Sequence, residues 1–290
     1  IWWFVGAVPI SSRMQDNTTD ELAILTPLTR RFDDRAALAA YVAGLADITP
    51  PDNPSPIIGG RAAALSLLAA ISPAQYSATR NHLDGAVTRL SAYIRHGVLT
   101  LDEVRNRALD VVAAPKQAEK FIQELAWRDY WQRLYTASPD AIWVDVEAYK
   151  TGFSASDYAD DLPADIARGA TGVACIDALI ATLLETGYLH NHARMYVAAY
   201  IVHWRQIKWQ AGARWFLQNL IDGDPASNNL SWQWIASTFA NKPYFFNLDN
   251  VARYVGPDIN VSAADNLPLA HSYERLAELL FPNLSSPQAS

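Results

Sequence analysis

Leu220-Ile-Asp-Gly-Asp-Pro-Ala-Ser-Asn-Asn-Leu-Ser-Trp-Gln-Trp-Ile-Ala-Ser-Thr238 is the stretch whose reading decides the fold. An apolar helical run, Ala213 to Ile221, leads into it and meets Gly223, a residue suited to ending a helix. Asp224 followed by Pro225 reads as an N-cap with proline at the first helical position, so a second helix begins at once. Trp232 and Trp234 stand two apart and point in different directions on that helix, so one can face a buried partner while the other faces a cavity. Asp222, Asp224, Asn228 and Asn229 are poor core residues, and so much polarity beside so much aromatic surface needs hydrogen-bond partners. A flat heterocycle with an amide-like edge would supply them. A capped helical corner with aromatic core residues accounts for the same pattern, and the stretch alone leaves both readings open.

Outward from this corner the chain is helical by pattern. From Gly60 to about Tyr254 apolar residues recur at three-and-four spacing, with hardly any period-two alternation. In Thr171–Glu185, for instance, Val173, Ile176, Ile180 and Leu183 share one face. No glycine-rich phosphate loop follows a strand-like run, so no Rossmann unit is expected. The pattern predicts an all-α, multi-helix, single-domain fold over 60–255. An arm and linker over 1–59 precede it, and a C-terminal extension over 256–290 follows. Within the arm, a helical run from Asp34 to Leu45 leads to a proline cluster, Thr49-Pro-Pro-Asp-Asn-Pro-Ser-Pro56.

With 290 residues, half of them hydrophobic, the chain can bury a large core. Ten tryptophans and thirteen tyrosines point to broad aromatic surfaces at a core or a ligand. A net charge of −7 argues against a globally basic nucleic-acid binder and leaves room for a local basic groove. One cysteine, Cys175, excludes an internal disulfide and a four-cysteine iron–sulfur cluster, and fits a reducing, cytoplasmic setting. The opening run Ile1–Ile10 is too short to span a bilayer and lacks a basic n-region, so neither a membrane span nor a signal peptide is expected. It begins on isoleucine rather than methionine, and residues preceding it are expected to be missing or processed.

Three further segments carry candidate chemistry. In Thr88-Arg-Leu-Ser91, hydroxyls, a guanidinium and backbone N–H groups meet at a predicted helix start, which suits a phosphate. In Phe121-Ile-Gln-Glu-Leu-Ala-Trp-Arg-Asp-Tyr-Trp131, Glu124 and Arg128 lie four apart, as do Trp127 and Trp131. A surface ion pair worth about 0.3–0.5 kcal/mol beside a buried aromatic ridge would explain that spacing without any ligand. In Tyr188-Leu-His-Asn-His-Ala-Arg-Met195, His190-Asn191-His192 spells the triad of a metal nuclease, but the helical context lacks its hairpin and its cysteines. Two histidines at i and i+2 of one helix diverge, so no metal site is expected.

Taken together, Asp-Gly-Asp-x-Ala-x-Asn-Asn-x-x-Trp-Gln-Trp-x-Ala-Ser-Thr, Thr-Arg-Leu-Ser-x-Tyr, Glu-Leu-x-Trp-Arg and His-Asn-x-x-Arg-Met resemble the photolyase/cryptochrome family over roughly Gly60 to Tyr254. The resemblance implies FAD as cofactor. It would be held by Tyr76, the Thr88, Arg89, Leu90 and Ser91 loop, Phe121, Glu124, Arg128, Tyr188, Asn191, Arg194, Asp222, Asp224 and Asn228. Where the family writes proline the chain has Ala92, which should loosen the turn without abolishing the site. Glu124, Trp127, Asn191, Met195 and Trp234 would line a lesion cavity, with Arg194 paired to Asp222 beside the flavin. Asn191 and Met195 match enzymes that act on cyclobutane dimers rather than (6-4) lesions. At the flavin N5 position the family's repair enzymes carry an amide, as here at Asn228, because a neutral amide accepts from N5–H without disturbing its protonation.

Trp232 and Trp209 match two members of the family's electron relay. The third should fall between about Trp143 and Tyr158, where no tryptophan matches and Tyr149, Phe153 and Tyr158 are candidates. Lys242 and His192 would meet DNA, Arg128 would share the cavity mouth, and Lys208 and Arg205 would join that face or simply be solvated. The family's phosphate-contacting arginine after Pro-Tyr-Phe is absent at Pro243-Tyr-Phe-Phe-Asn-Leu248, so feeble non-specific DNA binding with strong salt dependence is expected. The N-terminal antenna domain is not recognisable. The implied function is light-driven splitting of cyclobutane pyrimidine dimers in DNA by a short, monomeric, antenna-free deoxyribodipyrimidine photo-lyase. A blue-light photoreceptor without repair is the alternative.

Overall fold

A computed structural model describes residues 28–45 and 55–284, so the opening apolar run and most of the proline cluster lie outside the described residues. Two compact units divide the chain, 1–52 and 53–290. In the first, the expected helix forms as α1 (Arg35–Ala43), with the Asp34 carboxylate accepting from the Ala37 N–H at 2.8 Å. Phe32 packs on Tyr41 with ring centroids 5.2 Å apart.

The second unit holds α2 (Arg61–Ala69), α3 (Pro73–Thr79), α4 (Ser91–Arg95), α5 (Leu101–Asp110), α6 (Glu119–Ala137) and α7 (Ala164–Ala167). It continues with α8 (Ala174–Thr186), α9 (Asn191–Ala199), α10 (Trp209–Asn219), α11 (Pro225–Ala236), α12 (Leu248–Tyr254) and α13 (Tyr273–Leu280). No strand occurs among the described residues; a lone parallel bridge pairs Ala159 with Ile207. The all-α expectation holds, and none of the described helices is long and apolar enough to cross a membrane.

Apolar periodicity builds two cores in this unit. Val173, Ile176, Ile180 and Leu183 are all buried, as their spacing requires, and pack with Tyr196, Trp209, Phe216 and Trp232 in the larger core of α8 to α11. The smaller core joins α2, α4, α5 and α6 through Leu68, Leu90, Val104 and Phe121. After α9 the backbone widens into a π turn, Tyr200–Trp204, which carries His203 into the interior.

The corner at 220–238 forms with one departure. Asp224 caps α11 by accepting from the Ser227 N–H at 2.7 Å, with Pro225 at the first position. However, α10 stops at Asn219, short of Gly223, because Leu220 turns extended and is buried, leaving Gly223 in the turn that follows. Between α10 and α11 the contact is close enough that Gly212 needs its missing side chain. A Cβ there would lie 2.3 Å from Cη2 of Trp232, so the indole rests on bare helix backbone.

Gly212→Ala should therefore destabilise the protein by about 1–3 kcal/mol through overpacking, read from the denaturant midpoint, and should perturb Trp232 fluorescence. A second expectation follows from burial, which lowers the imidazolium pKa values of His190, His192 and His203 from 6.5 to about 4. Below pH 6.5 the unfolded chain takes up protons that the folded chain accepts only near pH 4. The stability present above 6.5 is thus lost progressively as pH falls through 4. Denaturant midpoints measured from pH 7 downward should fall across that window, and less steeply in His203→Asn.

Candidate active site

Three helices and the loop into α4 turn side chains toward one cavity of about 620 Å³, within the roughly 300–1,000 Å³ typical of small-molecule sites. From α9 come Asn191, Arg194, Met195 and Ala198, an i, i+3, i+4, i+7 set that can only be one helix face. From α11 come Ser227, Asn228, Ser231, Trp232, Trp234 and Ile235, and from α6 Phe121, Glu124, Trp127, Arg128 and Trp131. The loop into α4 adds Thr88, Arg89, Leu90 and Ser91, while Tyr76 and Tyr188 close the wall. Because Leu90 and Phe121 belong to the smaller core and Phe216 and Trp232 to the larger, the cavity lies where the two cores face each other.

Its charged groups are organised by the loop 220–224. Arg194 Nη2 donates to both Asp222 oxygens at 2.9 and 2.8 Å, and its Nε holds the Leu189 carbonyl at 2.7 Å. Asp224 Oδ2 accepts from Gln132 Nε2 at 2.6 Å and Arg128 Nη2 at 3.4 Å. Both carboxylates are only 5% exposed, so these partners are what make their burial tolerable. The loop carbonyls are used as well: Arg95 Nε donates to Gly223 O at 2.6 Å, and a His96 ring nitrogen meets Ile221 O at 2.9 Å.

Asn228 is oriented by what its nitrogen does. Nδ2 donates to the Ala213 carbonyl at 3.1 Å and to Asn229 Oδ1 at 2.9 Å. A carbonyl cannot donate, so the amide cannot be flipped, and Oδ1 is the atom left to accept from a ligand. Asn229 and Gln233 in turn hold the 141–146 segment, through Ile142 O at 2.7 Å, Ala141 O at 2.6 Å and the Val146 N–H at 3.0 Å.

Two buried polar atoms among the lining residues, Ser227 Oγ and Trp232 Nε1, have no hydrogen-bond partner within the protein. Arg89 has no acidic partner among the described residues, lies over the Tyr188 ring at 5.8 Å, and sits at φ 55°, a strained left-handed conformation for a side chain of its size. Burial, with the nearby Glu124 charge second, lifts the Tyr76 phenol to about 12.

The structure departs from the sequence expectation at several residues. Glu124 does not pair with Arg128; it takes Lys120 at 2.8 Å and Arg80 at 3.0 Å, while Arg128 goes to Asp224. Lys120 was legible as another i, i+4 partner, but Arg80 comes from the end of α3, and no local spacing announces it. His192 does not reach the mouth: it is 9% exposed, with its ring against Tyr196 and Tyr254. Lys242 is exposed in the stretch after α11 and does not line the cavity. Arg205 pairs with Asp165 and Lys208 with Asp160, beside the Ala159–Ile207 bridge rather than the cavity. The two tryptophans of α11 diverge as their spacing requires, Trp232 being 2% and Trp234 42% exposed. Trp209 lies outside the cavity wall and is fully buried. No three-residue metal-binding cluster occurs among the described residues.

Comparison with known proteins bears on this arrangement directly. The model of the FAD binding domain of DNA photolyase matches residues 121–265, half of the chain. Deoxyribodipyrimidine photo-lyase of Streptomyces griseus is 32% identical over 238 residues, which are 76% of this chain and 51% of that protein. The Alkalihalophilus pseudofirmus protein of the same name is 37% identical over 160 residues, 54% of this chain and 33% of its own. This chain thus spans about half the length of the Streptomyces relative, and less of the other. Among solved structures, an archaeal photolyase from Sulfolobus tokodaii with two FAD molecules shares the fold at TM-score 0.62 and 24% identity, over 80% of this chain and 57% of its own. A class III photolyase from Agrobacterium tumefaciens does so at TM-score 0.60 and 23% identity, over 77% of this chain and 55% of its own. With its helical fold and the family match running from α6 past α12, the chain belongs to the photolyase/cryptochrome family and carries that family's FAD-binding domain.

Proposed function

We propose that this protein repairs cyclobutane pyrimidine dimers in DNA under light. One arrangement carries the proposal. Two exposed indoles, Trp127 at 49% and Trp234 at 42%, line the same cavity as the Asn228 amide oxygen and the Arg194–Asp222 pair. Aromatic faces that take a base out of its stack thus stand beside groups suited to a flavin.

The residues fit FAD on their own chemistry. The orphan Ser227 hydroxyl, the Arg89 guanidinium and the Asn228 oxygen offer donors and an acceptor that the protein leaves unused. The loop Thr88–Ser91 would hold the diphosphate, and Arg194 and Asp222 would flank the flavin ring. When bound and reduced, FAD supplies a light-excited one-electron donor, which is chemistry no side chain here can provide. Around it the chain's own work is positioning. Trp127 and Trp234 stack on the flipped dimer, Asn191 and Met195 bound it, and Glu124 accepts from the pyrimidine edge while Arg80 and Lys120 hold its carboxylate in place. We also infer a cytoplasmic monomer, with Lys242 as a DNA contact.

That grip on Glu124 supports a second reading. A carboxylate engaged by two cations has less acceptor capacity left for a base, as in a photoreceptor that binds FAD without repairing. Chemically reduced protein, illuminated with a dimer-containing oligonucleotide, separates the two. Loss of dimer in the light and not in the dark is expected for repair, whereas flavin photochemistry without dimer loss would select the photoreceptor. Trp127→Ala should weaken lesion binding by about 1–3 kcal/mol at unchanged FAD content, measured by titration with the same oligonucleotide.

A further inference from the structure

Trp232 and Trp209, which the family resemblance reads as electron donors, differ in one atom's surroundings. Both indoles are buried, at 2% and 0% exposure. Trp232 rests on Gly212, one turn along α10 from Trp209, and both indoles belong to the larger core. The Trp232 Nε1–H has no acceptor. The Trp209 Nε1–H donates to Asp145 Oδ1 at 2.6 Å, and Gln210 Nε2 holds the same oxygen at 3.1 Å. Asp145 is only partly buried, so its carboxylate connects an interior indole to solvent.

Removing an electron from indole turns its N–H into a far stronger acid. A cation radical on Trp232 has nowhere to send that proton, because releasing it into a buried site without a partner is costly. On Trp209 a carboxylate is already hydrogen-bonded to the proton in question. We propose that Asp145 is the proton acceptor that traps the oxidising equivalent on Trp209 and ends the relay there. The inference rests on the reading of Trp232 and Trp209 as donors to photoexcited, oxidised FAD.

Trp232 gives one electron to the light-excited flavin, and Trp209 restores it with one of its own. The Trp209 Nε1–H bond then breaks, its proton passing to Asp145 Oδ1 and on to water. Trp209 is left as a neutral radical, one electron and one proton short, and a thiol reductant returns both.

The groups beyond Trp209 support termination at this point. Trp143 carries the Arg214 guanidinium over its ring at 5.2 Å, and a fixed cation there opposes a second positive charge on the indole. Tyrosine oxidation requires loss of the phenolic proton. The Tyr149 hydroxyl is buried with no partner, and burial holds its pKa far above the ordinary range. The Tyr158 hydroxyl meets only the Thr151 hydroxyl, at 2.8 Å, which is no base. Phe153 offers no oxidisable group of comparable ease. None of the residues expected to supply a third relay member is therefore placed to keep the charge.

Flash photolysis of the FAD-loaded protein tests this, since cationic and neutral indole radicals absorb at different wavelengths. The wild type should show the cation converting to a long-lived neutral radical, slower in deuterium oxide. Asp145→Asn keeps the size and a hydrogen-bond acceptor but loses the basicity. It should yield the cation, and the charge-separated state should recombine at least about tenfold faster. Asp145→Glu should restore the neutral radical. Without any cofactor, the Trp209 indole N–H resonance should lie downfield and move on Asp145→Asn. A neutral radical of equal yield and lifetime in Asp145→Asn would overturn the inference, as would the absence of any tryptophan radical in FAD-loaded wild type. Repair by chemically reduced wild type bypasses the relay and is scored separately. Absence of repair alongside the expected radicals would remove the repair function and leave Asp145 in its role.

Discussion

Two carboxylates buried two residues apart, Asp222 and Asp224, constrain this molecule more than any other pair of groups. Each is 5% exposed, and burying a carboxylate is costly unless cations or donors are brought to it. Their partners come from different helices: Arg194 from α9 for Asp222, and Arg128 and Gln132 from α6 for Asp224. Ion pairs of this kind contribute little net stability once desolvation is counted, so the two apolar cores must supply the folding free energy. What the carboxylates contribute is location. They require α6, α9 and the start of α11 to converge on one short loop, and the cavity is the space those three helices leave between the cores. Removing one carboxylate would strand a guanidinium, which is far more costly than the pair is favourable.

Much of this was legible in the sequence, and the reason is that it is local. The Asp224–Pro225 cap, the divergence of Trp232 and Trp234, and the buried stripe Val173–Ile176–Ile180–Leu183 all follow from helix geometry within a few residues. The motif resemblance named further residues that line the cavity, including Tyr76, which no periodicity would bring there. What was not legible depends on long-range competition for partners. Glu124 and Arg128 have ideal spacing for each other, yet Asp224 claims Arg128, and Arg80 from α3 claims Glu124. His192 looks like a polar helix-start residue in the sequence, but the rings of Tyr196 and Tyr254 enclose it. Gly223 looked like a helix terminator, whereas burial of Leu220 ends α10 earlier.

The α10–α11 contact shows how a single missing side chain organises redox-capable groups. With no Cβ at Gly212, the Trp232 ring lies on helix backbone and its edge meets Phe216 at 4.9 Å between centroids. The Trp232 N–H has no acceptor within the protein, while Trp209, a turn earlier, reaches the 141–146 segment. That segment is held by Asn229 and Gln233 of α11, so the position of Asp145 is a consequence of the polar side of α11. One helix thereby sets the amide facing the cavity, the indole behind it and, at one remove, the carboxylate on the next indole.

Charge accounting on the cavity side also bears on how a nucleic acid would be gripped. Of the cations lining the cavity, Arg80 and Lys120 are engaged by Glu124, Arg128 by Asp224 and Arg194 by Asp222, whereas Arg89 has no acidic partner among the described residues. A phosphate contact releases counterions only insofar as the cation is free to make it, so these pairs reduce the electrostatic share of binding. The aromatic share is correspondingly large: Trp127 stacks on Trp131 at 5.3 Å, Tyr130 and Phe239 pack against this pair, and Trp234 lies on Tyr244. On the proposed reading, stacking, which is indifferent to ionic strength and needs an unstacked base, would favour a strand already open, or one whose damaged base leaves the helix readily.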